Sequence, residues 1–342
     1  MSKTTSIRFK DTQIELAHGA GGKASRRLIE GLIAPILGNP ALNDAALLSL
    51  DTSSLAFTTD SFVVRPLRFP GGSIGELAVN GTVNDLAVSG ARPLALLSSL
   101  ILEAGLAVET LQAELEAMQA AAQRAGVAVL GGDTKVVEHG QADGLYISTS
   151  GIGRVDSRVA LSAKAVRPGD QILLSGPIGD HGITVLLARG ELDLEADLKS
   201  DTRSVWPLVE ALIEAAAPGL RWMRDPTRGG VATALNELAR ETRLALRLDE
   251  EAIPVREAVR GACEILGLDP LHIANEGQFI AIVSSEFAET ALEAVQRSPG
   301  GQEAVLVGEV LEKPGGVVYT TNGYGSSRVV DMLVGDPLPR IC

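Results

Sequence analysis

A chain of 342 residues, 45% hydrophobic and 21% charged, has the composition of an ordinary folded protein and the length of about two domains. Thirty Lys and Arg against 43 Asp and Glu leave a net charge of −13, a poor bulk match for nucleic acid or anionic membrane, and 3% aromatic content argues against base stacking. Two cysteines cannot build a disulfide framework, no run approaches the roughly 20 apolar residues of a membrane span, and no apolar signal core opens the chain, so a cytoplasmic protein is expected.

His18-Gly19-Ala20-Gly21-Gly22-Lys23 is a glycine-rich turn leading into a helix from Ser25. Backbone amides freed by glycine suit an anion, although a plain turn fits equally well. Asn43-Asp44 precedes the apolar Ala45-Ala46-Leu47-Leu48, and Leu55–Thr59 reads as a strand closed by Asp60. From Ile74 onward, helical spacing groups Asp85 with Ala78, Gly81 and Val88, while Val79, Val83 and Leu86 face the other way. A helix apolar nearly all round is buried, so the Asp85 carboxylate needs a cation, donors or a proton. Val108–Ala125 is a helix with Leu111, Leu115, Met118 and Ala122 in phase, closed by Gly126. Val127–Leu130 and Leu145–Thr149 read as strands, the first followed by Gly131-Gly132-Asp133-Thr134-Lys135.

Arg167-Pro168-Gly169-Asp170 is a turn that opens a second unit, starting with a strand at Ile172–Ser175 and a further glycine turn, Gly176-Pro177-Ile178-Gly179-Asp180-His181-Gly182. The expected division is 1–160, 161–330 and a flexible tail, 331–342. The acidic, leucine-rich Glu191–Ser200 reads as a surface connection, and 204–217 and 229–240 as helices. Asp225-Pro226-Thr227-Arg228-Gly229-Gly230 is either an anion-binding turn or a capped helix start. Asn275-Glu276-Gly277 precedes a strand at Gln278–Val283, and a lone Glu in a turn is usually solvated.

Cys263 shares a helical face with Val259, Ala262 and Leu266, as a core thiol does. Cys342 follows Pro337 and Pro339, which discourage helix and central strand, and is expected to be exposed on an extended tail. Twelve extended residues reach about 40 Å. Asp44, Asp60, Asp85 and Asp133 offer hard oxygen ligands of the kind Mg²⁺ takes beside substrate phosphates, although each alone reads more simply as a turn or cap residue.

Taken in order, His18–Lys23, Asn43–Ala46, Thr58–Ser61, Asn84–Ala87, Gly131–Lys135 and Asp225–Gly230 resemble the PurM-like ATP-dependent superfamily of aminoimidazole ribonucleotide synthetases, selenophosphate synthetases and thiamine monophosphate kinases. Asn43 stands where many members carry a second Asp, which leaves the number of metal-binding carboxylates open. The absence of a cysteine from 18–23 counts against the selenophosphate branch. Within the superfamily, Pro339-Arg340-Ile341-Cys342 is similar to the carbamoyl dehydratases of hydrogenase maturation.

The resemblance implies an α/β fold of two domains, with the N-terminal sheets of a homodimer pairing into a barrel and ATP near the interface. It implies that a carbamoyltransferase, HypF, loads a carboxamide onto Cys342. ATP then drives its dehydration to a thiocyanate, through attack of the amide oxygen on the γ-phosphoryl group, and a HypC–HypD iron-assembly complex accepts the product as the cyanide ligand of [NiFe]-hydrogenase. On this reading His18, Gly21, Gly22, Lys23, Asn84, Gly131, Gly132, Thr134 and Arg228 belong to the ATP site. Asp44, Asp60, Asp85 and Asp133 would hold Mg²⁺-ATP. Because two N–H protons must leave, a base is needed, and Glu276 and Lys135 are the candidates, with Lys135 alternatively stabilising phosphate charge. Cys342 would visit its own active site, a carbamoyl donor and an acceptor in turn, so two tail states, inserted and exposed, are expected. Another ATP-dependent synthetase or kinase of the same superfamily, indifferent to Cys342, is the competing expectation, followed by a non-catalytic scaffold.

Overall fold

The computed structural model describes residues 22–28, 30–31, 46–49, 54–190, 196–335 and 338–342. A short helix α1 (Gly22–Leu28) precedes a five-stranded sheet ordered β1 (Ala46–Ser49), β2 (Ser54–Phe62), β7 (Leu145–Val155), β5 (Ala91–Glu103) and β6 (Ala128–Val137). All its pairings are antiparallel except β5 with β6. Between β2 and β5 lie the small ribbon β3 (Arg68–Phe69) and β4 (Gly72–Ser73) and the helix α2 (Ile74–Val88). That helix is buried along nearly all of its length, as its apolar circumference requires. Helix α3 (Val108–Ala125) covers it and ends at Gly126 in the left-handed conformation, φ +68°.

A seven-stranded sheet forms the second half, ordered β14 (Ser327–Val330), β13 (Val317–Thr321), β10 (Ala245–Asp249), β12 (Val305–Leu311), β8 (Gln171–Leu174), β11 (Ile280–Val283) and β9 (Leu220–Arg224). Its helices are α4 (Asp180–Ala188), α5 (Trp206–Ala216), α6 (Gly230–Thr242), α7 (Glu257–Leu266) and α8 (Ala288–Arg297). Both faces are covered. Ile172, Leu174, Ile280 and Ile282 point into one apolar cluster, and Leu173, Ala281 and Val283 into another.

Three expectations need correction. β2 does not close at Asp60 but runs on to Phe62, and β6 continues through Gly131–Lys135 to Val137 because its parallel ladder with β5 holds register past the glycines. Helix α1 starts at Gly22, ahead of Ser25. The tail, expected to have an inserted and an exposed state, is inserted in this structure. Leu338 and Ile341 insert into the apolar cluster that contains Phe62, Val64 and Ile183, leaving Cys342 only partly exposed.

Candidate active site

The buried helix α2 places Asp85 and Asn84 beneath the junction of the two halves. Thr58 on β2 donates to Asp85 Oδ2 at 2.6 Å. A Cβ added at Gly81, one helical turn earlier, would stand 3.6 Å from Asp60 Oδ2, so Asp60 and Asp85 share the gap between β2 and α2. Asn84 bridges two loops of the second half. Its amide donates to the Arg203 and Glu276 carbonyls at 3.0 and 3.2 Å and accepts from Val205 N–H at 2.8 Å.

Glu276 is 2% exposed, and its Oε1 has no hydrogen-bond partner. Burial, reinforced by Asp60, Asp225 and Asp201 and opposed by Arg228, pushes its carboxyl well above the usual range. Burial also raises Asp60, against the Arg228 cation and the Ser61 N–H. Asp201 accepts from the Glu276 and Gly277 N–H groups at 3.0 and 3.2 Å, yet burial still pushes it up to about 6. Four carboxyl groups with Arg228 as a counter-ion thus form a site with a surplus of acid groups, where one proton or a cation is needed. Asn275 ties this loop to its neighbours, donating to the Pro226 carbonyl at 3.0 Å and accepting from Gly179 N–H at 2.8 Å.

The remaining predicted residues do not gather here within one chain. Across the sheet, Asp60 pairs with Thr149, Thr149 with Ser98, and Ser98 with Gly132, three strand spacings or about 14 Å. Asp133 and Lys135 lie on the opposite, outward face, with side chains 61% and 71% exposed and ion-paired at 2.7 Å. That pairing lowers the Asp133 pKa. Gly131 and Thr134 lie in the same exposed strand. Lys23 is paired with Asp331 at 2.6 Å, and the N–H groups of Lys23 and Ala24 bond to the Leu333 and Val334 carbonyls. A Cβ at Gly22 would lie 2.4 Å from the Leu333 oxygen, so this glycine is required by chain packing. His18, Gly21, Asn43 and Asp44 lie outside the described residues.

The tail reaches the far end of the same strand that carries Asp60. Val63 N–H donates to the Cys342 carbonyl at 3.0 Å and Arg65 N–H to the Arg340 carbonyl at 3.2 Å. Arg340, left-handed at φ +59°, returns a bond from Nε to the Val63 carbonyl at 3.2 Å and pairs with Asp143. Arg189 donates to the Pro339 and Arg340 carbonyls. Val63 is three residue steps from Asp60, so Asp60 and the backbone of Cys342 stand about 10 Å apart along extended backbone. Cys263 is buried, and burial raises its thiol to about 11, as fits a core residue. Sequence reasoning missed Asp201, Ser200, Arg189 and the role of His181. None carries a local pattern, since their partners are distant in the chain.

Comparison with known proteins gives the class. Residues 42–155 match the N-terminal domain of AIR synthase-related proteins and 167–321 the C-terminal domain. The chain is 50% identical over 337 residues to the carbamoyl dehydratase HypE of Azotobacter vinelandii, spanning 98% of both. A crystal structure of a HypE–HypF complex superposes with a TM-score of 0.85 at 43% identity, covering 90% of this chain and 99% of that one. A structure of HypE in complex with ATP gives 0.81 at 45% identity, covering 96% and 99%. The chain is thus built as an AIR synthase-related protein of the PurM-like class. It belongs to the HypE family of carbamoyl dehydratases.

Proposed function

We propose that this chain, coupled to ATP hydrolysis, converts an S-carboxamide on Cys342 into a thiocyanate that supplies the cyanide ligand of [NiFe]-hydrogenase. The amide oxygen leaves in phosphate, so carboxamide and ATP give thiocyanate, ADP and phosphate. The observation that carries this reading is the docked tail. Residues 338–342 occupy the chain's own cleft at one end of the segment 60–65, with the acidic cluster at the other.

Glu276 is the proposed base. Its environment opposes ionisation, so the carboxylate, once formed, takes up a proton avidly, as removal of the two N–H protons demands. The orphaned Oε1 and the excess of acid groups around it fit a divalent cation, and Asp60 and Asp85 are the residues that would hold Mg²⁺. When bound, Mg²⁺ would neutralise phosphate charge during phosphoryl transfer. Arg228 stands by the same cluster and would meet phosphate.

Asp133 and Lys135, on the outward face, would serve a site shared with a second subunit. That face exposes Leu97 (53%) and Leu130 (72%) with Phe57, Leu94 and Ile101, an apolar surface suited to pairing of two sheets into a barrel. In this homodimer 1–160 binds nucleotide and dimerises, 161–330 supplies Glu276, and 331–342 alternates between docked and exposed states. The exposed state would meet HypF as donor and HypC–HypD as acceptor, in the cytoplasm. Mass spectrometry of the Cys342 peptide, after incubation with HypF and its carbamoyl source and then ATP-Mg²⁺, tests the reading. A carbamoyl adduct should lose one water only with hydrolysable ATP. No adduct from a demonstrably active donor would overturn it in favour of a small-molecule enzyme.

A further inference from the structure

The glycine turn Gly176–Gly182 has the look of a phosphate loop, yet its groups are directed at the tail. Gly179, at φ +88°, caps α4 and turns His181 into the protein, where it is fully buried. The ring stands edge-on to Phe69, centroids 5.5 Å apart. Its Nε2 lies 2.7 Å from the Ile341 carbonyl and its Nδ1 2.8 Å from Ser200 Oγ. A carbonyl only accepts, so Nε2 carries the hydrogen, and in a neutral ring Nδ1 accepts from the Ser200 hydroxyl. Burial holds the imidazole pKa down at about 4, which keeps this tautomer in place near neutrality.

The neighbouring contacts share that target. A Cβ at Gly182 would meet Ile273 Cγ2 at 2.6 Å and Leu338 Cδ1 at 3.4 Å, so the glycine leaves the space the tail fills. Ile341 is 1% exposed. Ser200, which fixes the ring, precedes Asp201, whose carboxyl accepts the Glu276 and Gly277 N–H groups. One short segment therefore braces both the histidine that holds the tail and the loop that carries Glu276.

We propose that His181 is a positioning residue for the dehydration, its Nε2–H fixing the Ile341 carbonyl and thereby the place of the Cys342 sulfur relative to Glu276. The inference rests on Cys342 as the carrier of the carboxamide. The two half-reactions then make opposite demands on the tail: loading requires it released, dehydration requires it docked. A contact that holds only the docked form matters to the second alone.

The test separates these steps in the full-length protein. In His181→Ala, single-turnover dehydration of the pre-carbamoylated protein should fall about 10- to 100-fold, the worth of one buried hydrogen bond. Carbamoylation by HypF should stay unchanged or rise, and alkylation of Cys342 by iodoacetamide should quicken. His181→Gln keeps an N–H near the Nε2 position and should recover most of the dehydration rate. Wild-type dehydration in His181→Ala would overturn the proposal. So would an equal fall in both half-reactions, or no rescue by glutamine in a variant that melts normally. A wild-type protein that never accepts a carboxamide on Cys342 would show instead that the underlying reading fails.

Discussion

The two sheets bury themselves differently. In the seven-stranded sheet β11 and the last three residues of β8 are wholly buried and feed apolar side chains into clusters on both faces. The five-stranded sheet buries only the face against α2 and leaves Phe57, Leu94, Leu97 and Ile101 exposed on the other. The first has a complete core within one chain, and the second has half of one. Chemistry follows the same division. The groups that converge in one chain (Asp60, Asp85, Asp201, Asp225, Glu276) lie on the helix side or in the second half, whereas Asp133 and Lys135 lie on the unfinished face.

The sharpest way to break this contrast is to place the same charge in each sheet. Ala281→Glu buries an unpaired carboxylate between two layers and should cost about 4 kcal/mol or more, enough to prevent folding, as circular dichroism would register. Leu97→Glu, on the exposed face, should leave each chain folded and yield a monomer by light scattering. A persistent dimer would remove that face from the interface. Next in size, Asp85→Asn should lower ATP turnover about 100-fold or more while retaining the Thr58 hydrogen bond and a normal melt. Mixing it with Asp133→Asn after co-refolding sharpens the point. A site shared between subunits restores about a quarter of wild-type activity, because half of the dimers are mixed and each of these has one intact site. No recovery would confine the two residues to the same subunit's site.

A smaller effect comes from His181. Its folded pKa lies below the ordinary imidazole value near 6.5, so the unfolded chain binds the extra proton between about 4 and 6.5. The stability it contributes is complete above 6.5 and is lost as the pH falls towards 4, by about 2 kcal/mol from pH 7.5 to 5. Asp201 acts with the opposite sign, since its raised pKa favours the folded state as the pH falls through 6. The measurement is therefore the difference between wild type and His181→Gln in urea titrations at both pH values, where Asp201 cancels. An unchanged difference would count against a neutral, buried His181. Smallest of all, Cys263→Ala should cost about 1 kcal/mol and leave the alkylation pattern intact, because a thiol near 11 in the core is silent at pH 8.

Local patterns made much of this legible. Helical spacing and a left-handed glycine bound the helix 108–125, and an all-round apolar circumference marked α2 as buried with Asp85 on it. Gly131-Gly132 carries the local signal of a turn, and the ladder with β5 overrides it, so β6 came out too short from sequence. Prolines made the tail look solvated, although Leu338 and Ile341 find an apolar slot built from residues some 65 to 280 positions earlier in the chain. His181, Ser200 and Asp201 take their meaning from such distant partners, which is why the sequence shows a histidine in a glycine turn and nothing more. The convergence of Asp60, Asp225 and Glu276 was foreshadowed only by the resemblance to a family.

The stitching of α1 to Leu333 and Val334 sets a leash. With those two carbonyls held by the Lys23 and Ala24 N–H groups, the chain beyond Val334 is eight residues long, and a tail that leaves its groove sweeps a radius of about 28 Å in place of 40 Å. Whatever delivers a carboxamide to Cys342 must therefore present its own reactive centre within that radius of Val334.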